Sequence, residues 1–266
     1  MVAGVRYDRF ALTGTDFFTA IPRPFSRTDT KFSPRFGVIY KPQENVSFYT
    51  SYSESFLPRS GEQFLSLSTV TQNLAPEKFT NYEVGAKWDV LAGWSLTGAL
   101  YQLDRSNATL PDPNNPLVTI NIGGTRTKGG EIGINGKILP QWQVSGGYAY
   151  QEGTLRGNGS VLLPGLPKHK LSLWNRYNAT KNFGIGLGVI YQSSQLAAIR
   201  KVAATTVLPA YTRIDAALFY DISDKIALQA NVENLFDTNY FPESHTNNNI
   251  STGAPINGRI SVKLKF

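Results

Sequence analysis

Apolar and polar residues alternate along almost the whole chain, and this two-residue period limits the fold more than any other feature. At the C-terminus Ile260, Val262, Leu264 and Phe266 share one parity, and Ser261, Lys263 and Lys265 the other. Upstream, Tyr82, Val84, Ala86, Trp88 and Val90 oppose Asn81, Glu83, Gly85, Lys87 and Asp89. Phe183, Ile185, Leu187 and Val189 oppose Gly184, Gly186 and Gly188. Successive side chains of a strand point to opposite faces, so each segment predicts a strand with two unlike faces. About twelve such segments of about ten residues each are expected, the length of a tilted membrane-spanning strand. They are placed at 2–10, 31–40, 46–56, 78–90, 94–103, 124–138, 143–152, 169–178, 183–192, 211–221, 226–235 and 258–266. No stretch longer than a turn carries a helical period.

The connections alternate in length. Short ones fall at Lys41–Asn45, Leu91–Gly93, Leu139–Trp142, Ala179–Asn182 and Ile222–Lys225. Long ones fall at 11–30, 57–77, 104–123, 153–168, 193–210 and 236–257. Long structureless loops are uncommon in compact soluble domains. Gathered at one end of a sheet, they give the pattern of an antiparallel transmembrane β-barrel segment, with short periplasmic turns and long extracellular loops. Composition narrows the rest. Mean hydropathy is negative and the longest apolar run is Ala216–Tyr220, far short of a membrane-spanning helix. The N-terminus shows no signal-peptide pattern. The chain has no Cys and only two His, so thiolate metal sites and Cys or His-based nucleophilic catalysis are poorly supplied. A formal net charge of +7 is scattered and forms no basic run, which argues against nucleic acid as a partner.

A lipid-facing Lys or Arg at the bilayer midplane costs about 2–4 kcal/mol. The strand charges are therefore assigned to the lumen: Arg6, Asp8, Arg35, Glu83, Lys87, Asp89, Glu131, Lys137, Arg176, Arg213, Asp215 and Glu233. Aromatic residues gather at strand ends. Tyr40, Trp88, Trp94, Trp142, Tyr177 and Phe183 lie near the short turns, and Phe56, Tyr150, Tyr191 and Tyr211 near the long loops. Two such bands are what interfacial girdles require. A soluble sandwich or propeller also alternates, but it needs neither aromatic strand ends nor one-sided long loops.

The stretch Asn231-Val-Glu-Asn-Leu-Phe-Asp-Thr-Asn-Tyr240, followed by a last strand ending at Phe266, resembles the end of TonB-dependent outer-membrane receptors. Ser33-Pro-Arg-Phe-Gly37, Tyr49–Phe56, Thr80–Trp88, Thr125–Gly129 and Leu166–Lys170 resemble the siderophore-receptor branch, with a flavour nearest the ferric catecholate and ferrichrome-type hydroxamate receptors. The resemblance implies a ferric siderophore as ligand, no cofactor and no enzymatic step. It further implies outer-membrane lipid and lipopolysaccharide as surroundings, and action of the TonB–ExbB–ExbD complex through a plug domain. Ile260, Val262, Leu264 and Phe266 resemble the signal read by the barrel assembly machinery. That family has a 22-stranded barrel filled by its plug. With about twelve strands and no plug candidate, residues 1–266 are expected to be the C-terminal portion of such a barrel. Alone, the strands either close as a smaller barrel or do not transport. A passive porin-like channel and a non-transporting receptor fragment are the alternatives.

In the parent family the ligand is bound from outside. Basic and aromatic residues near the long-loop end are the candidates, because Arg and Lys give charge-assisted bonds to anionic complexes and aromatic rings give flat contact area. They are Arg23, Arg27, Arg59, Phe64, Arg105, Arg156, Arg200, Tyr240, Phe241 and His245, with Phe25, Lys168, His169 and Lys201 beside them. Phe56 and Tyr101 are read as interfacial girdle residues. No spacing of carboxylates, Ser and His marks a catalytic set or a metal site.

Overall fold

Strand pairing accounts for nearly all of the architecture. A computed structural model describes every residue except 18–20, 60–74, 92, 113–114, 200–204 and 265–266. Twelve antiparallel strands form one meandering path. They are β1 (Val2–Asp16), β2 (Arg23–Gln43), β3 (Val46–Leu57), β4 (Glu77–Leu91), β5 (Trp94–Asp112), β6 (Asn115–Leu139), β7 (Trp142–Leu155), β9 (His169–Asn178), β10 (Phe183–Gln192), β13 (Tyr211–Ser223), β14 (Ile226–Glu233) and β17 (Asn257–Leu264). Between them, β8 (Asn158–Leu162) pairs with β7. The short pairs β11 (Gln195–Leu196) with β12 (Val207–Leu208), and β15 (Glu243–Thr246) with β16 (Asn249–Ser251), lie at the long-loop end. Among the described residues β1 pairs only with β2 and β17 only with β14, so the ladder stays open and these strands do not close into a smaller barrel.

The register joins like to like across the whole ladder. Phe48 pairs with Ala86, Ala86 with Gly98, Gly98 with Ile132, Ile132 with Tyr148 and Tyr148 with Leu171. Further along, Ile185 pairs with Leu218, Leu218 with Ala230, and Ala230 with Ile260. These residues form one continuous apolar face. It is also the exposed face: Val5 is 69% exposed, Leu100 65%, Ile132 63% and Ile260 79%. The buried apolar residues are mostly small, such as Ala99, Ala108, Ala197 and Ala217. A soluble fold hides its large apolar side chains, and an exposed apolar surface this extensive requires a hydrocarbon solvent. All twelve charges assigned to the lumen fall on the opposite face by register.

That inner face neutralises itself locally. Arg6 pairs with Asp8, Arg27 with Asp29, Lys87 with Asp89 and Arg213 with Asp215, each two residues along its own strand. Gly186 and Gly188 leave room for the Trp174 indole against β10, where a Cβ would stand 2.5 and 2.7 Å from the ring. Beside it the Arg176 guanidinium stacks 4.1 Å from the Phe219 ring centre.

Two long connections prove to be strand rather than loop. β1 runs to Asp16 and β2 starts at Arg23, while β5 and β6 extend to Asp112 and from Asn115. The alternation fades there because, beyond the lipid, polar residues occupy both faces, yet the backbone ladder continues. On the outer face of this extension Asp104 receives two bonds from Arg126, at 2.6 and 2.8 Å. Glu54 pairs with Lys78 at 2.5 Å, and Glu152 with Lys168 at 2.6 Å. Of the girdle residues, Tyr40, Trp88, Trp94, Trp142, Tyr177 and Phe183 share the outer face at the short-turn end, and Phe56, Tyr150 and Tyr191 at the other. Tyr211 is a correction: its parity puts it on the inner face opposite Gln192, where its ring lies 4.6 Å from that of Tyr240. Tyr101 is another. It faces inward between Glu83 and Gly129 and donates to Gln151 at 3.3 Å.

Val262→Arg or Leu264→Arg places a cation in lipid and is expected to abolish insertion, at about 2–4 kcal/mol. Lys263→Ser, on the other parity, is expected to be mild. Heat-modifiable migration on gels reads the difference, and equal effects would refute the facing. A second expectation concerns pH. The Arg126 guanidinium holds the Asp104 carboxyl below the usual carboxylate range, against the upward push of burial. A depressed folded pKa stabilises above the unfolded value of about 3.9 and is lost as pH falls through the folded value. The β5–β6 extension should therefore keep its proteolytic resistance at pH 6 and lose part of it below about pH 4. The effect is small because Arg126 is well exposed.

Candidate functional site

The long-loop end of the inner face gathers the polar groups available to a ligand from outside. Its most enclosed feature is an ion cluster. Leu57 pairs with Glu77 and Phe79 with Arg105, so Glu77 and Arg105 are diagonal neighbours on the inner face. The Glu77 side chain is fully buried. One of its oxygens accepts from Arg105 Nε at 2.6 Å. The other accepts from Arg59 at 3.2 Å and from the Thr109 backbone N–H and hydroxyl at 3.3 and 3.1 Å. Arg59 also donates to the carbonyls of Asn107 at 2.6 Å and Ala75 at 3.1 Å. Asn107 has a φ of 56° at a bulge in β5, a conformation Asn tolerates better than most residues. That turn aims its carbonyl at Arg59, while its amide donates to the carbonyl of Pro76. Arg59 and Arg105, two sequence candidates, are thus brought together, but on a carboxylate.

A second network lies under the connection between β14 and β17. Asn234 (φ 54°) is almost fully buried. Its backbone N–H donates to Asp215 at 2.9 Å and its side-chain amide to the carbonyls of Thr238 and Ala254, both at 3.0 Å. Asp237 (φ 49°) accepts from the Ile256 N–H at 2.9 Å. Tyr240, 7% exposed, accepts from Arg213 at 3.1 Å. The segment Asn234-Leu-Phe-Asp237 is therefore a knot that fastens the connection before the last strand, and Tyr240 is one of its pins.

The other candidates are scattered. Arg23 is exposed and Arg27 mostly enclosed, both on the inner parity of β2. Arg156 is exposed on the outer face, where its side chain lies over Gly124. Phe241 is half-buried, and His245 is exposed in β15. His169 is outward too: it accepts or donates with Tyr148 at 2.7 Å and packs 5.1 Å from the Tyr150 ring, so it belongs to the upper aromatic band. Phe64, Arg200 and the terminal Phe266 lie outside the described residues. Ile260, Val262 and Leu264 form the outer face of β17.

A recess of about 480 Å³ in the inner wall is lined by Glu131, Lys170, Thr97, Ser172, Ile190 and Gln192, among others. Lys170 and Gln192 were absent from the sequence candidates, although their parity alone places them inward. Among the described residues no group of three or more His, Cys, Asp or Glu is placed to hold a metal ion. The recess thus carries one carboxylate and one ammonium group, with hydroxyl and amide groups beside them.

Glu77→Ala leaves Arg59 and Arg105 facing each other and is expected to cost about 3 kcal/mol locally, the low end for breaking a buried pair. Limited proteolysis near residue 59 and residues 105–109 measures it. Unchanged protection would mean that the cluster does not hold this end together.

Comparison with known proteins gives a family, relatives and a shape. The profile described as "TonB dependent receptor-like, beta-barrel" matches residues 1–235. The chain is 27% identical over 286 residues to the probable TonB-dependent siderophore receptor PiuA of Acinetobacter baumannii, covering 99% of this chain and 38% of the relative. It is 34% identical over 221 residues to the catecholate siderophore receptor Fiu of Escherichia coli K12, covering 77% of this chain and 28% of the relative. The crystal structure of PiuA superposes with a TM-score of 0.85 at 26% identity, covering 99% of this chain and 40% of that one. The closed form of Fiu superposes with a TM-score of 0.81 at 27% identity, covering 99% and 42%. The chain therefore spans well under half the length of these relatives.

Proposed function

Because the chain belongs to the TonB-dependent receptor-like β-barrel family, we propose that residues 1–266 are the C-terminal portion of the barrel of an outer-membrane receptor that binds and imports a ferric siderophore. The observation that carries this reading is the open twelve-strand ladder with its oily face outward. It superposes along 99% of its length on a siderophore receptor while spanning 40% of that receptor. An open edge cannot remain unpaired in lipid, so further strands must complete the wall.

The ligand class in this reading is a ferric catecholate or a hydroxamate. Such complexes are often anionic, and inward cations at the long-loop end, with Arg23 and Lys170 the exposed ones, suit them. Passage to the periplasm is driven by the TonB–ExbB–ExbD complex acting on a plug inside the barrel. No covalent bond is made or broken, so no enzymatic step is involved. The open ladder disfavours a passive channel built from these strands alone.

Deleting the gene from a strain lacking other catecholate receptors is expected to stop iron-limited growth on a ferric catecholate, and uptake should require TonB. Arg23→Ala combined with Lys170→Ala should reduce radioactive iron uptake by about tenfold, or about 1.4 kcal/mol. Uptake that persists without TonB would favour a passive channel, and unchanged growth after deletion would remove the ligand assignment.

A further inference from the structure

One patch low on the inner wall departs from the charge pairing found elsewhere. Trp174 faces inward between Ser145 and Gly188. The bare backbone of Gly186 and Gly188 seats its indole, so one ring face lies along the wall and the other is turned to the lumen. Phe219 faces inward between Gly184 and Gln229. A Cβ at Gly186 would stand 2.5 Å from the indole and 3.2 Å from the Phe219 ring, so the two rings meet over the same glycine. The Arg176 guanidinium covers Phe219, 4.1 Å from its centre, and donates to the Asn178 amide oxygen at 3.1 Å. Arg176 enters no ion pair among the described residues. Lys137, two strands away beyond Gln143, enters none either. Of the inward carboxylates on β13, Asp215 is bonded to Arg213 and the Asn234 N–H, and Asp221 lies past Phe219 at the short turn. Trp174 stands four residues from the short-turn end of its strand, about 13 Å along it, and so well below the mouth.

We propose that Trp174, Arg176 and Phe219 form a lower station on the inner wall, where an anionic aromatic ring of the ferric complex, a catecholate, stacks during its passage to the periplasm. The chemistry of the patch matches that occupant part by part. The indole and phenyl faces offer flat area to a planar ring. The guanidinium stacks on such rings and also donates charge-assisted bonds to their oxygens. A polar wall that met only water would have no use for two rings laid side by side on glycine. Their cation has no carboxylate partner to displace, so an anion gains its full attraction. The inference rests on the import reading and adds to it a second place of contact, below the mouth.

The test uses the intact outer-membrane protein carrying this chain, in cells with and without TonB. The probe is the iron(III) complex of an azide-bearing 2,3-dihydroxybenzoate, irradiated during uptake. Trypsin cuts after Lys170 and Arg176, so the peptide Leu171–Arg176 reports the station by mass spectrometry. It should be labelled only when TonB is present, whereas peptides of the mouth should be labelled in both cases. Label at the mouth without label on Leu171–Arg176 overturns the proposal and leaves the import reading standing. Label at neither place removes both. A second measurement uses the radioactive iron(III) complex of unmodified 2,3-dihydroxybenzoate. Trp174→Leu should leave binding in cells lacking TonB unchanged and lower the maximal uptake rate about fivefold, the scale of one aromatic contact. Trp174→Phe keeps a ring and should restore most of that rate. Heat-modifiable migration establishes that each variant is folded. Unchanged uptake by folded Trp174→Leu overturns the proposal. So does a new sensitivity of that variant to vancomycin, which would mean that the indole holds the plug in place.

Discussion

Every backbone N–H and C=O that enters hydrocarbon must find its partner within the protein, because no water is there to take its place. This requirement explains the twelve-strand ladder, its strict parity and its need for neighbours on both edges. It also inverts the usual logic of a core. Large apolar side chains point away from the protein, and the interior wall is polar. Small residues such as Ala99 and Ala217 occupy buried positions on the inner face, among larger inward side chains such as Tyr101 and Phe219.

Much of this was legible in the amino-acid order. Ile260, Val262 and Leu264 announce their face without help from any neighbour, and the strand count of twelve agrees with the pairing. Legibility ends where the solvent contrast ends. Residues 104–112 and 115–123 continue the ladder below them through three register shifts, but polar residues stand on both faces there and no period marks them. Tyr101 and Tyr211 failed for another reason. Both were judged by closeness to a strand end, whereas parity puts them inward.

The candidate site was less legible. Arg59 and Arg105 were singled out for their charge, but what decides their role is Glu77, 18 residues from one and 28 from the other. Nothing local signals that pairing, which depends on a bulge at Asn107 and on the offset between β3, β4 and β5. The segment Asn234–Asp237 shows the opposite case. It stood out as a family signature, and its geometry gives it a structural meaning. Two left-handed residues and a buried amide hold the chain where the final strand must begin.

The local ion pairs of the inner wall have a consequence for the charge that wall presents. Arg6 with Asp8, Lys87 with Asp89 and Arg213 with Asp215 settle their charge within single strands. At these places the wall requires no opposite charge from its contents. Arg6–Asp8 and Lys87–Asp89 include solvent-facing groups and contribute only about 0–1 kcal/mol each, whereas Arg213–Asp215 is mostly enclosed and is tied to Tyr240 and Asn234 as well. There the lining is thus compensated strand by strand, a surface that carries many charges and presents little net field.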